Sequence, residues 1–152
     1  MKVDYLKKSL TIKQEIGDRA GEGRVLSNIG LNYQMLGDYD TALTYFKKSL
    51  TIKQEIGDRA GMIPTLHNMA HIYQQNKDVQ GAVDAFVQAL KLAQETNDAM
   101  GLYNVSRNFG RLLCEVGQKE QGLPLLQQSL QIGERVGFPD VEQVRQLIAH
   151  FS

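Results

Sequence analysis

Apolar residues recur along this chain at helical spacing. Leu26, Ile29, Gly30 and Tyr33 fall at i, i+3, i+4 and i+7, which places them on one face of a helix. Leu43, Phe46, Leu50 and Ile56 form a second such stripe, with Ala42 beside them. No stretch alternates with the period of two that a half-buried strand requires, so the chain is expected to be all-α. Between the two stripes lies "LGDYD" at Leu36–Asp40, in which Gly37 can close one helix and Asp38 can cap the next. "GD" at Gly17–Asp18 and Gly57–Asp58 punctuates the chain in the same way. Pro64 lies near a helix start and Pro139 just before the last helix, where a missing N–H costs least. Pro124 falls within the first turns of its helix, where it can bend it.

The pattern then repeats. "KKSLTIKQEIGDRAG" occupies Lys7–Gly21 and recurs letter for letter at Lys47–Gly61, an offset of forty. A further forty gives "FVQALKLAQETNDAMG" at Phe86–Gly101, and then "LQQSLQIGERVGFPDV" at Leu126–Val141, in phase through Leu130 and Glu134. The intervening segments match too: "LSNIGLNY" from Leu26, "LHNMAHIY" from Leu66, "SRNFGRLL" from Ser106. The expected organisation is a single array over 1–152 with seven to eight helices. It has an unpaired second-type helix at 2–16, three helix-pair repeats at 18–56, 58–96 and 98–136, and a capping helix at 140–151. A short pair cannot bury its face alone, and stacking successive pairs builds a continuous core. Small residues mark the close contacts: Gly30, Ala70 and Gly110 at one repeat position, Ala42, Ala82 and Gly122 at another. A mid-helix glycine costs about 1 kcal/mol relative to alanine, so its compensation is sought in close approach by the Tyr33 or Phe46 class from a neighbouring helix.

Leu26-x2-Ile29-Gly30-x2-Tyr33 followed by Ala42-x3-Phe46 resembles the tetratricopeptide repeat (TPR) in its order of large, small and aromatic positions. The usual unit is about 34 residues and ends near a proline; the forty-residue unit here, with "GDRAGEGR" between pairs, is similar to that of kinesin light chains, Partner-of-Inscuteable adaptors and many bacterial TPR proteins. The resemblance implies a right-handed superhelix, or α-solenoid, of antiparallel helix pairs. It also implies peptide binding in a concave groove lined by first-type helices, without catalysis.

The first-type helices carry a second face opposite the core stripe. It comprises Arg24, Ser27, Asn28, Leu31, Gln34 and Met35, then Pro64, His67, Asn68, His71, Gln74 and Gln75, then Asn104, Arg107, Asn108, Arg111, Cys114 and Glu115. Asn28, Asn68 and Asn108 recur at one mid-helix position although asparagine is a mediocre helix former. A carboxamide donates and accepts at once, which suits an extended ligand backbone. The resemblance assigns matching asparagines to the peptide main chain; bonding to neighbouring helix carbonyls, or inheritance by duplication, is the alternative. Arg107 and Arg111 one turn apart, His67 and His71 likewise, and Arg24 tilt this face toward positive charge and an acidic ligand.

The totals narrow the alternatives. Lys+Arg and Asp+Glu both number 17, so no bulk field recruits nucleic acid or an anionic membrane. The start MKVDYLKKSL lacks the apolar stretch of a signal peptide, and the single Cys114 offers no disulfide, which fits a cytoplasmic location. "HNMAH" places His67 and His71 at i, i+4 without the glutamate of a zinc-protease helix, and "GDRAGEGR" lacks P-loop spacing. No metal, cofactor or enzymatic activity is expected. Val3, Leu6, Leu10, Ile12 and Ile16 stand where a packed stripe stands later, but no first-type helix precedes them. That leaves an apolar face for a homodimer, or for further repeats if the chain is part of a longer array. At the other end Asp140 can cap the helix carrying Val141, Val144, Leu147, Ile148 and Phe151. The expected function is a scaffold holding a partner peptide, with a regulatory sensor for an attached effector, or a self-assembly element, as the rivals.

Overall fold

The computed structural model describes residues 2–152. Among them lie eight α-helices and no strand: α1 (Lys2–Ile16), α2 (Arg19–Met35), α3 (Tyr39–Glu55), α4 (Arg59–Gln75), α5 (Val79–Glu95), α6 (Ala99–Glu115), α7 (Lys119–Val136) and α8 (Val141–Phe151). The described chain divides into two compact units, one ending at Gln88 and one running from Ala89 to Ser152.

The connections share one chemistry. The amides of Asp18, Asp38 and Asp58 bond the carbonyls of Lys13, Tyr33 and Lys53, and the glycine before each aspartate has φ +72, +81 and +73. This closes one helix in a Schellman turn that glycine adopts without steric cost. The same aspartates then open the next helix, their carboxylates accepting from the N–H groups of Gly21, Thr41 and Gly61. At the next two turns Lys77 (φ 60) and Asn97 (φ 51) take the left-handed position, and Gly117 (φ 87) and Gly137 (φ 86) return it to glycine.

In the first unit Leu6, Val25 and Ile29 form one core cluster, and Ala42, Phe46, Met69 and Ile72 form the next. A Cβ on Gly30 would come within 2.9 Å of the Phe46 ring, so the glycine does admit the aromatic. In the second unit Tyr103, Ile132 and Val144 form a core cluster. There α6 and α7 cross with backbone facing backbone. A Cβ on Gly110 would stand 2.8 Å from the Gly122 carbonyl oxygen, and one on Gly122 would stand 2.6 Å from that of Gly110.

The duplicated phrase shows how context sorts identical letters. Ile52 is 5% exposed, packed against Gly23, whereas its twin Ile12 on α1 is 54% exposed. Ile56, which spacing assigns to the core stripe, is exposed; it is the residue after the last turn of α3, where the chain already leaves the helix. Tyr5 and Ile16 on α1 are also exposed. Across the repeats, volume is exchanged between facing positions. Where α2 has Gly23, the aliphatic stem of Lys53 fills the gap; forty-residue multiples later Tyr103 fills it and Gly133 stands opposite, its would-be Cβ 2.6 Å from the tyrosine ring. A fixed interhelical space is kept full by trading which side supplies the bulk.

Candidate functional site

In the first unit the predicted face falls on α2 and α4. Arg24, Asn28 and Leu31 are exposed on α2, and Asn32 donates to the Asn28 carbonyl (2.8 Å). Gln34 is half-buried, and its Oε1 finds no donor among the described residues. On α4 Asn68 is half-buried and Gln75 exposed. His67 and His71 pack edge to face (4.8 Å between centroids), and both lie against the buried Phe86 ring at 5.9 and 6.5 Å.

Beneath this face runs a polar network that sequence reasoning missed. Lys53 is 6% exposed, and its ammonium donates to Ser27 Oγ (3.1 Å), Thr65 Oγ1 (3.0 Å) and the Gly61 carbonyl (3.1 Å). Ser27 Oγ lies 2.6 Å from Ser49 Oγ, which donates to the Gly23 carbonyl. Among the described residues no carboxylate bonds the Lys53 ammonium. Burial therefore lowers the Lys53 pKa, Arg24 adds to the effect, and the Asp58 charge opposes it. The available signal was the small-residue position that Lys53 shares with Ala93 and Gly133.

In the second unit Asn104 and Arg107 are half-buried on α6, Asn108 lies beside them and Arg111 is exposed. Arg107, Asn108 and Arg111 line a cleft of ≈ 440 Å³ whose other wall is α8, through Gln143, Gln146, Leu147 and His150. Of these α8 residues the sequence singled out only Leu147, as part of the apolar stripe, although 143, 146 and 150 share the polar side opposite Val141, Val144 and Ile148. Arg107 is held in place. It bonds Asp140 (2.5 Å) and Asn104 (3.4 Å) and lies 5.3 Å over the Tyr103 ring, whose hydroxyl also donates to Asp140 (2.6 Å). The bonds from Tyr103 and Arg107 hold the Asp140 carboxyl below its usual range, and burial, with Asp140 next, pushes the Tyr103 hydroxyl up. Arg111 uses its Nε to reach Glu115 one turn along (2.8 Å).

Two sequence expectations are corrected here. Asp140 precedes α8 but makes no side-chain capping bond, because its carboxylate turns to Tyr103 and Arg107. Cys114 does not face a groove; it is buried against Gly122, and burial raises its thiol pKa. Helical spacing put it on the polar face, but glycine at 122 lets α7 approach closely enough to cover it. Among the described residues no cluster of three or more metal-ligating side chains forms, and no helix is long and apolar enough to cross a membrane.

The sequence profile of the tetratricopeptide repeat matches residues 3–55 and 61–135. The chain belongs to the tetratricopeptide repeat family. No curated protein matches the sequence. Among solved structures, this TPR chain is similar to aspartyl phosphate phosphatase F from Bacillus subtilis (TM-score 0.92, 16% identity, 98% of this chain and 39% of that one). It is also similar to the Rap conjugation gene regulator of plasmid pLS20, solved in complex with the Phr* peptide (TM-score 0.86, 17% identity, 99% and 41%). A third likeness is to the nearly identical TPR-like repeats named for a kinesin light chain of Podosopora anserina (TM-score 0.77, 18% identity, 98% and 75%). The chain thus spans about two-fifths of the length of the first two. At these identities the likeness shows the TPR fold.

Proposed function

We propose that this TPR chain is a protein-interaction scaffold that holds a peptide segment of a partner along its first-type helices, acting in the cytoplasm by binding alone. One observation carries the reading: a carboxamide recurs at one mid-helix position of α2, α4 and α6, as Asn28, Asn68 and Asn108. Such groups match the alternating N–H and C=O of an extended chain. The unpartnered acceptor of Gln34 adds a site for a donor from a ligand. A neighbour of the same fold solved with a bound peptide is consistent with this use.

Selection of a random dodecapeptide phage library on the immobilised chain tests it. Enriched peptides should bind wild type and lose affinity at least tenfold for the triple Asn28→Ala, Asn68→Ala, Asn108→Ala variant, with far-UV circular dichroism unchanged. Undiminished binding by a folded triple variant refutes the asparagine reading.

A second reading rests on the exposed apolar side chains Tyr5, Ile12 and Ile16, which give α1 a surface for a second copy. Light scattering then shows a concentration-dependent dimer that Ile12→Glu abolishes; a monomer throughout the micromolar range rejects it.

A further inference from the structure

We propose that a cleft between the second-type helices α1 and α3 binds a small zwitterionic α-amino acid with an aliphatic side chain. Glu22 takes the ammonium of the ligand and Lys48 its carboxylate. The site lies apart from the asparagine positions and does not depend on the scaffold reading.

α1 and α3 both pack on α2, and among the described residues no backbone contact joins them to each other. A cleft of ≈ 340 Å³ opens between them over α2. Small-ligand pockets span about 300–1,000 Å³, so this one suits a compact molecule. Leu10 on α1, Leu26 on α2 and Ile52 on α3 line it with aliphatic surface, and Tyr45 adds an aromatic wall. The Tyr45 ring is held by its stack on Tyr33, with 5.7 Å between centroids.

One acid and one base share this lining. Glu22 is 8% exposed. Its Oε2 accepts from Arg19 (2.9 Å), but the same guanidinium also serves Glu55, so two carboxylates draw on one cation. Its Oε1 holds only a 3.4 Å bond from the neutral Gln14 carboxamide. An ammonium would make a shorter, charge-assisted bond there. Lys48 is exposed, its ammonium 5.5 Å from the Tyr45 ring centroid, and it pairs with no acid among the described residues.

Charge selects the ligand. Arg19, Glu22 and Glu55 together leave one negative charge, Lys48 supplies one positive charge, and the neighbouring Lys13–Asp18 pair is neutral. An apolar anion would set its carboxylate against Glu22, and an apolar cation would meet Arg19 and Lys48. A molecule that carries both signs beside an aliphatic group answers the whole lining. An α-amino acid is the smallest molecule of that kind.

The test titrates L-leucine into the full chain, labelled with ¹³C at leucine and isoleucine methyls and with ¹⁵N. A saturable millimolar response is expected at the Leu10, Leu26 and Ile52 methyls and the Gln14 side-chain amide. N-acetyl-leucine lacks the ammonium and glycine lacks the aliphatic group, so each should bind at least tenfold more weakly. Leucinamide lacks the carboxylate and should bind about threefold to fivefold more weakly, the scale of an exposed ion pair. Lys48→Met should weaken leucine binding by the same factor. Glu22→Gln, with its fold checked by circular dichroism, should weaken it at least tenfold; Lys48→Met, at an exposed position, decides the matter if that variant unfolds. N-acetyl-leucine or leucinamide binding as tightly as leucine, unchanged leucine affinity in Lys48→Met, or no saturable shift at these methyls overturns the proposal. The Asn28→Ala, Asn68→Ala, Asn108→Ala variant should bind leucine as wild type does, which keeps the two readings apart. Loss of leucine binding in that folded variant would move the site to the asparagine face and overturn this one.

Discussion

Gly122→Ala looks harmless by repeat logic, because Ala42 and Ala82 occupy the same position in the preceding repeats. The second unit says otherwise. A Cβ at 122 would lie 2.6 Å from the Gly110 carbonyl oxygen, 2.6 Å from Cys114 Sγ and 2.9 Å from the Cys114 nitrogen. Ordinary contact begins near 3.4 Å, so α6 and α7 must separate by something approaching 0.8 Å at their crossing. The thiol can rotate; the two backbone atoms cannot. Replacing a helical glycine by alanine gains about 1 kcal/mol of propensity, and over-packing a well-filled core costs about 1–3 kcal/mol. With backbone as the obstacle the cost falls in the upper part of that range, for a net loss of about 1–2 kcal/mol. Near this chain length each kcal/mol moves the midpoint by about 2–4 °C, so Tm should fall by several degrees. Thermal unfolding followed at 222 nm measures it. Gly30→Ala, whose obstacle is the Phe46 ring at 2.9 Å, should lose less. A Gly122→Ala variant as stable as wild type, or more so, would refute the claim that this crossing is backbone to backbone.

Three further outcomes follow from the same geometry. The folded-state pKa of Lys53 lies below its unfolded value, so the unfolded chain binds more protons in the window between them. Stability relative to Lys53→Met should therefore rise as pH increases through the folded pKa toward the ordinary 10.5, as urea unfolding at stepped alkaline pH would show; a falling difference contradicts the assignment. Lys77→Gly should stabilise the chain by about 0.5–1 kcal/mol, since a left-handed lysine is strained by about 1–2 kcal/mol and glycine returns part of that in chain entropy; calorimetry checks the sign. Cys114, buried with its thiol pKa raised, should react with iodoacetamide at neutral pH at least a hundredfold more slowly than in the denatured chain, and comparable rates would show that α7 does not cover it.

The sequence by itself determined the helices, the turns between them, the repeat and the family. Each of these is written in local spacing: apolar residues at i, i+3 and i+4, glycine then aspartate at each early boundary, and a phase of forty that never slips. The small positions were legible too, because a mid-helix glycine needs a neighbour that excludes a side chain. Burial and pairing were not legible, because they belong to whatever stands across the interface. Lys13 and Lys53 sit in identical fifteen-residue phrases, yet Lys13 pairs with Asp18 at the surface while Lys53 enters a pocket vacated by Gly23. Ile12 and Ile52 part in the same way, as do Asp140 and Cys114 from the roles their local spacing suggested. For the candidate cleft, the sequence supplied Arg107, Asn108 and Arg111, and only packing brought α8 against them and turned Arg107 toward Asp140. Local propensity is carried by the residues of one helix. Electrostatic partners and solvent exclusion depend on distances between helices, which only the tertiary structure decided.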